Sequence, residues 1–320
     1  MLNRRAFSAS ALAALSPLPA FAQQPIKVKV GTLKMASLAT AYVAKNAGIF
    51  ARHGLDAELV EFRDGNEAVS AHQGGAVDFM LTIPGTAMSA SERSFDLVMI
   101  MQNETARDKG PDVGAVMVKA DSPVKSLKDL EGKRVALGSV KSQYSVAVER
   151  VFTLAGADPR KVDFINIPFF TMADVLRNGG IDAIAALDPW VTQLLSTGAG
   201  RALSWIYAES IPFQPVGAWY VKSSWLEKNR EATKRFVEAM KEAIDYMHAD
   251  ESRARKSVAA FTGMDPALVE KMPINAWSYR IDPRKWQAVA DMLSDNGLLE
   301  KKHKAEEYIS DVARPYVVGQ

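Results

Sequence analysis

The chain has 320 residues, of which 48% are apolar and 24% are charged, and its formal net charge is +2. This length allows two ordinary domains with separate cores, and the even charge balance excludes extended disorder and argues against a nucleic-acid partner. Cysteine is absent, which excludes disulfides, thiolate nucleophiles, thiolate metal sites and a lipid-modified cysteine.

The first 22 residues have the pattern of a cleaved export signal. A basic start at residues 1–7 precedes an uncharged, mostly small and apolar run, and Ala20-Phe21-Ala22 forms a small-x-small cleavage site. Arg4-Arg5 resembles the pair of a twin-arginine signal, although general secretory leaders also carry arginines. Removing this segment reduces the 39 basic residues to 37, equal to the 37 acidic ones. We therefore predict a neutral mature protein that starts near Gln23 and is free in the periplasm.

The mature chain begins with a predicted βαβαβ unit. Short apolar runs predict strands buried between helix layers, and longer amphipathic stretches predict helices. Gly74-Gly75 ends the second helix and Asp78 starts the last strand. The predicted order is strand 28–33, helix 38–51, strand 57–62, helix 67–73 and strand 78–81.

The same plan recurs about 100 residues later. Gly179-Gly180 follows the first glycine pair at an offset of 105 residues, and Asp182 follows Asp78 at an offset of 104. Strands that alternate with helices predict parallel sheets with right-handed crossovers. The second predicted order is strand 135–137, helix 143–155, strand 162–167, helix 172–177 and strand 182–187.

Two extended segments, 114–119 and 214–222, bracket the second unit. Such a pair is needed if the chain passes from the first lobe to the second and then returns. The remaining third contains apolar faces at helical spacing over residues 230–248 and 285–294. We predict an α/β fold of two βαβαβ lobes joined by a two-strand hinge. Lobe I comprises residues 23–115 and 216–320, with the C-terminal helices covering it, and lobe II comprises residues 116–215.

The predicted binding site lies between the lobes, because ligands in open parallel sheets bind beyond the carboxyl ends of the strands. This rule selects four strand-end loops, at residues 32–37, 82–86, 138–144 and 188–190. The third loop lacks the GxxxxGK[ST] and GxGxxG spacings, so no nucleotide cofactor is predicted. The histidines form no HxxxH or HxH pair, and no nucleophile and base occur at a recognisable spacing. We therefore predict neither a metal site nor a catalytic residue.

Each candidate side chain has a structural alternative. Ser139 and Ser142 precede a helix, where hydroxyls and free N–H groups can bind an anion, or where they can simply cap the helix. Lys34 and Lys141 can neutralise an anionic ligand or stay solvated.

The strand end of lobe II and the hinge add further candidates. An indole at Trp190 can cover an apolar or cationic group of a ligand, or pack in the core. Asp188 can accept a hydrogen bond from a ligand or orient the hinge. Alternation along the hinge strand predicts that one of Trp219 and Tyr220 faces the cleft and the other the core, and Trp219 is included among the ligand-binding candidates.

These residues together resemble a known family. Gly31-Thr32, residues 41–50, His53-Gly-Leu55 and Gly74 with Asp78 look like lobe I of the substrate-binding proteins of ABC importers for nitrate, taurine, aliphatic sulfonates and thiamine precursors. Asp121-Ser122, residues 127–136, Gly138-Ser139, residues 180–183 and Asp188-Pro189 look like lobe II. The similarity covers nearly the whole mature chain, and it implies the two-lobed periplasmic binding protein fold of type II.

The resemblance also implies a function. A periplasmic protein of this family closes on a solute by hinge motion, as a monomer, and delivers it to a membrane permease with a cytoplasmic ATPase. Carried over by position, Lys34, Ser37, Thr82, Ser139, Ser142 and Trp190 match loops that line the cleft. Two lysines, several hydroxyls and an indole favour a small organic anion, such as a sulfonate, a taurine-like compound or a carboxylate.

Two other classes stay open. The first is an enzyme on the same two-lobed fold, either a lyase or a synthase of a thiamine precursor; the synthases that resemble this family rely on a cysteine-rich stretch, which this chain lacks. The second is a ligand-loaded sensor that docks on a membrane receptor, for which the sequence plan would be identical.

Overall fold

The computed structural model describes residues 24–63, 65–138 and 140–319. The predicted export signal and Ser139 lie outside the described residues. Among these residues the strands are β1 (Ile26–Thr32), β2 (Leu55–Glu61), β3 (Phe79–Thr82), β4 (Val98–Thr105), β5 (Gly114–Lys119), β6 (Arg134–Leu137), β7 (Asp163–Asn166), β8 (Ala183–Leu187), β9 (Gly200–Trp205), β10 (Pro215–Val221) and β11 (Ala276–Trp277). The α-helices are α1 (Ala39–Asn46), α2 (Ile49–Arg52), α3 (Gly65–Gln73), α4 (Pro84–Glu92), α5 (Gln143–Leu154), α6 (Phe169–Arg177), α7 (Trp190–Ser196), α8 (Ile206–Ser210), α9 (Ser223–Lys228), α10 (Arg230–His248), α11 (Glu251–Thr262), α12 (Pro266–Val269) and α13 (Pro283–Asp295).

Two sheets form the two lobes. The sheet of lobe I has the strand order β11-β4-β10-β3-β1-β2, and the sheet of lobe II has the order β7-β6-β8-β5-β9. Each contains one of the predicted βαβαβ units, with β1, β2 and β3 parallel in the first and β6, β7 and β8 parallel in the second. The predicted two-lobed α/β fold is therefore confirmed.

The two strands that join the lobes, for which the sequence predicted no direction, run antiparallel to the strands beside them. β10 runs antiparallel to β3 and β4, and β5 runs antiparallel to β8 and β9. A strand that enters a sheet from the opposite lobe must run against the crossover strands, because its starting end lies at their carboxyl ends. We propose lobe boundaries near residues 115 and 216, next to the segments 106–113 and 206–214 through which the chain passes between the sheets.

The two lobes repeat one local contact between the aspartate after the glycine pair and the neighbouring strand. Asp78 accepts a hydrogen bond from the backbone N–H of Lys29 at 2.8 Å, and Asp182 accepts one from the N–H of Arg134 at 2.9 Å. In both units the carboxylate that follows the glycine pair accepts from a backbone N–H of the neighbouring strand, in the middle of β1 and at the start of β6. The repeat seen in the sequence is thus also a repeat of backbone hydrogen bonding.

The C-terminal helices pack against the sheet that contains β1. α10 and α11 pack on one face of this sheet, where Phe236 stacks on Phe79 at 3.8 Å between ring centroids, and α13 packs on the other face. The bounds of α10 coincide with the prediction. The single helix expected over residues 38–51 is instead divided into α1 and α2, because Gly48 between them has a φ of +70°, in the left-handed region.

Candidate functional site

A direct hydrogen bond joins the two lobes at their strand ends. The N–H of Gly85, in the first turn of α4, donates to Oε1 of Gln143, the first residue of α5, at 2.8 Å. Gln143 is only 2% exposed. The contact brings together the second and third strand-end loops, and sequence reasoning missed Gln143 because its partner lies 58 residues away in the other lobe.

The start of α5 is a complete helix cap. The Ser142 hydroxyl accepts a hydrogen bond from the N–H of Ser145 at 3.2 Å, and the Ser145 hydroxyl accepts one from the N–H of Ser142 at 3.0 Å. The capping alternative for Ser142 is therefore present, and a ligand contact by the same residue stays a prediction. Lys141 is exposed and has a φ of +52°, which turns the chain into the cap. Ser139 lies outside the described residues.

The first strand-end loop is held by side chains of lobe I. The Lys34 ammonium lies 3.4 Å from the Glu61 carboxylate and 4.9 Å from the centre of the Phe261 ring. The Ser37 carbonyl accepts hydrogen bonds from Nδ2 of Asn103 at 2.9 Å and from Nε1 of Trp277 at 3.3 Å. Lys34 thus has a counter-ion within its own lobe, and Ser37 uses its backbone to anchor the loop.

Asn103 is a connecting residue that the sequence did not reveal. Its Oδ1 accepts hydrogen bonds from the Thr40 hydroxyl and from the Trp219 indole, both at 3.0 Å, and its side chain is buried. It lies on β4, a strand without a sequence prediction. The one feature of the sequence that could have pointed to it is the run of three polar residues, 102–104, that follows the apolar first half of the strand.

The expectation that Trp219 lines the cleft is contradicted by its burial. Its side chain is fully buried against Phe236, edge to face at 5.2 Å. Tyr220 is equally buried on the opposite face of the sheet. Alternation along β10 was read correctly, but helices cover both faces of this sheet, so neither ring reaches the cleft. Thr82, at the carboxyl end of β3, is also buried, with no side-chain hydrogen bond to any other described residue.

Three aromatic rings, those of Tyr144, Phe169 and Trp190, pack together at the strand ends of lobe II, and we call them the aromatic wall. Trp190 stacks on Phe169 at 5.7 Å with an angle of 14° between the rings, and Phe169 meets Tyr144 edge to face at 5.6 Å. Gly138 passes so close beneath Phe169 that an added Cβ would lie 2.1 Å from its ring. The third and fourth strand-end loops are thus connected through Phe169, which follows β7 and was not a predicted site residue.

Three carboxyl groups, those of the buried Glu104 and Asp112 and of the half-buried Asp188, lie where the hinge meets the lobes. Oδ1 of Asp188 accepts hydrogen bonds from the N–H and hydroxyl of Thr192, at 2.9 and 2.7 Å, while its buried Oδ2 has no partner among the described residues. Burial raises the pKa of Asp188 to about 6, and repulsion from Asp112 contributes. Burial raises the pKa of Glu104 to about 7, although a hydrogen bond from Asn275 at 2.7 Å opposes this shift. Burial likewise raises the pKa of Asp112.

The chain is similar in sequence and in fold to known binding proteins. The family model described as NMT1/THI5 like matches residues 36–254. The chain belongs to the NMT1/THI5-like family. Its fold is that of the periplasmic binding proteins: the crystal structure of the periplasmic aliphatic sulphonate binding protein SsuA from Escherichia coli superposes with a TM-score of 0.75 at 20% identity, covering 89% of this chain and 97% of that one.

Sequence relatives of this NMT1/THI5-like chain include proteins named for binding. A protein of Brucella abortus named as a binding protein is 26% identical over 274 residues, which are 84% of this chain and 82% of the relative. A Haemophilus influenzae protein named for thiamine biosynthesis is 21% identical over 308 residues, covering 92% and 94% of the two chains.

The described residues contain neither a membrane-spanning helix nor a cluster of metal ligands. None of their helices combines the length and the apolar composition that a bilayer span requires. Nor do they contain a group of three or more His, Cys, Asp or Glu side chains placed to hold a metal ion.

Proposed function

We propose that the protein is the periplasmic solute-binding component of an ABC importer, which captures a small organic anion between its lobes and delivers it to the permease. The observation that carries the proposal is the hydrogen bond between Gly85 and Gln143, which joins strand-end loops of both lobes across the cleft. A solute that touches both lobes adds contacts only in the closed form, and so shifts the equilibrium toward closure.

The chemistry of the cleft supports binding of an organic anion. The start of α5 presents the positive end of the helix dipole. Trp190 and Phe169 offer a flat apolar surface nearby. The aliphatic sulphonate binding protein of Escherichia coli shares the fold, and we propose a sulfonate, a taurine-like compound or a carboxylate as the ligand here. In this function the protein acts as a monomer, and it releases its ligand chemically unchanged.

A ligand screen tests this function. Residues 23–320 are purified and mixed with alkanesulfonates, taurine, short carboxylates, sugars, amines and aminopyrimidines, and the melting temperature is recorded. A ligand that binds only the folded state raises this temperature, and we expect the increase with an organic anion. Stabilisation by sugars, amines or aminopyrimidines alone would contradict the proposed ligand class. Mass spectrometry of the solute that co-purifies from the native host identifies the ligand directly.

A further inference from the structure

Carboxyl groups from both lobes lie at the edges of the two sheets that face each other. β3 and β4 both run antiparallel to β10, so Glu104, near the end of β4, lies at the edge where Gly85 of the loop after β3 contacts lobe II. β5 runs antiparallel to β8, so Asp112, two residues before β5, lies at the edge where β8 ends and Asp188 follows. One carboxyl group of lobe I and two of lobe II therefore occupy the facing edges, next to the hinge.

Asp112 is the centre of this group. Its side chain is 2% exposed, and its two oxygens accept hydrogen bonds from the N–H groups of Val113 and Ala208, both at 2.8 Å. These two partners belong to the two different segments through which the chain passes between the lobes. The carbonyl of Val113 also accepts the N–H of Asp188 at 2.7 Å, which places Asp188 beside Asp112. Two backbone hydrogen bonds stabilise the charged form of Asp112.

Glu104 and Asp188 have weaker support for a negative charge. Glu104 is 3% exposed and accepts a hydrogen bond from the neutral amide of Asn275 at 2.7 Å. Oδ2 of Asp188 is buried without a hydrogen-bond partner among the described residues. Burial and, to a smaller extent, repulsion from Asp112 raise the pKa of Glu104 to about 7 and that of Asp188 to about 6. These two groups therefore take up protons most readily in this arrangement.

The other ionisable groups that face the three carboxyl groups are a guanidinium and a phenol. Arg107 donates to the carbonyl of Ile274 at 2.7 Å, and its charge lowers the pKa of Asp112. Burial raises the pKa of Tyr207, and repulsion from Asp112 and Glu104 adds to this, so its hydroxyl stays neutral. A single cation cannot offset three carboxylates in a site from which water is excluded. Bound protons supply the missing balance.

We propose that the two lobes come together with uptake of protons by Glu104 and Asp188, which makes the hinge a proton-sensitive switch. In the form described here, in which Gly85 meets Gln143 and which we call the joined form, both carboxyl groups are buried beside Asp112. Separation of the lobes admits water to the facing edges, and water favours the charged forms. The two groups stabilise the joined form below their ordinary pKa values, and this stabilisation is lost as pH rises through about 6 and about 7.

This inference goes beyond the proposed function, because it concerns motion of the lobes in the absence of a ligand. It also has a consequence for that function. Ionised carboxylates at the facing edges repel an anion in the cleft. The protons that favour the joined form therefore also favour binding of the proposed ligand, and an organic anion should be held more firmly at pH 5 than at pH 8.

The distance between the lobes is tested by double electron–electron resonance on residues 23–320 without ligand. The chain has no cysteine, so spin labels attach selectively to Gln193→Cys on α7 and Lys256→Cys on α11, both at exposed positions. We expect one short distance at pH 5 and a growing population at a longer distance as pH rises to 8. The ratio of long to short distances should increase about tenfold or more over this range.

Variants that cannot ionise decide whether these two carboxyl groups are responsible. Glu104→Gln combined with Asp188→Asn should keep the short distance at pH 8. The matched control, Glu227→Gln combined with Asp56→Asn at exposed positions of lobe I, should respond to pH like the wild type. Urea midpoints check folding, and each single variant, Glu104→Gln or Asp188→Asn, should show a reduced response.

Two outcomes would overturn the inference. One is a wild-type distance distribution that is the same at pH 5 and pH 8. The other is a response to pH in the double variant, or in both single variants, that equals the response of the control. Because the measurement contains no ligand, either outcome leaves the proposed function to be decided by its own ligand screen.

Discussion

Gln143 of lobe II accepts a hydrogen bond from the backbone N–H of Gly85 of lobe I at 2.8 Å. The bond lies where α5 meets α4 and α13, so it is covered by helices of both lobes. An added Cβ at Gly85 would lie 3.1 Å from the Cβ and Oε1 of Gln143 and from Cδ1 of Leu293. The approach of the lobes on this side of the cleft therefore depends on a glycine and an amide.

Gln143→Ala should destabilise this junction. The variant leaves the buried N–H of Gly85 without its acceptor, which costs about 1–3 kcal/mol in the free energy of unfolding. Urea denaturation measures the loss, and small-angle scattering should show a larger radius of gyration. Gln193→Ala, at an exposed position of α7, is the matched control. Equal stability of the two variants would show that the bond does not hold the lobes together.

Ser142 allows helix capping to be separated from ligand contact. Ser142→Ala should lower the free energy of unfolding by about 1 kcal/mol, because the N–H of Ser145 loses its acceptor. Ser142→Asp should retain stability, since aspartate caps helices well and favours the dipole. If the residue also contacts an anionic ligand, the added carboxylate repels that ligand. Unchanged affinity in Ser142→Asp would leave capping as the only function of Ser142.

Gly138→Ala should disturb the aromatic wall. The new methyl group would overlap the Phe169 ring and displace it from Trp190. Overpacking of this kind costs about 1–3 kcal/mol, and near-ultraviolet circular dichroism should report the altered stacking. Gly65→Ala serves as the control, because an added Cβ there meets no atom within 4 Å. Identical spectra and stability for the two variants would contradict the close contact between Gly138 and Phe169.

Stability should depend on pH through Glu104. Its pKa is raised to about 7 by burial, so the folded protein favours the neutral acid more than the unfolded chain does. The stabilisation is present below the ordinary glutamate pKa and is lost as pH rises through about 7. Glu104→Gln keeps an acceptor for Asn275 and cannot ionise. Its stability relative to the wild type should therefore increase between pH 5 and 8, by about 2 kcal/mol.

The control for this experiment is Glu227→Gln, at an exposed position of α9. Asp188→Asn should show the same trend at lower pH, because the pKa of Asp188 is raised to about 6. A difference between Glu104→Gln and the wild type that stays constant from pH 5 to 8 would show that Glu104 does not titrate in this range in the folded protein.

The βαβαβ units were predictable because their signals are local. Apolar runs, glycine pairs and the aspartates that follow them occur within a few residues of each other, and Asp78 and Asp182 make equivalent hydrogen bonds in the structure. β4 was not predicted, because polar residues interrupt its apolar pattern. One of them, Gln102, donates to the carbonyl of Arg280 and accepts from the indole of Trp286, both at 2.7 Å. Partners about 180 residues away along the chain cannot be recognised from the local sequence.

The candidate site was predictable only in outline. The strand-end loops could be selected because ligands bind beyond the carboxyl ends of parallel strands. Whether each side chain is buried, paired or open to the cleft depends on neighbours from other elements. Lys34 meets Glu61 and Phe261, and Trp219 is covered by Phe236.

The position of β10 between β3 and β4 has a consequence for the order of folding. Lobe II is built from one continuous segment between β5 and β9, so its contacts can form as soon as that segment is available. The sheet of lobe I is interrupted until residues 215–221 insert between two strands made more than a hundred residues earlier. Pairing across such distances is slow, and continuous segments fold as units. We therefore expect the lobe whose strands are synthesised first to complete its folding last.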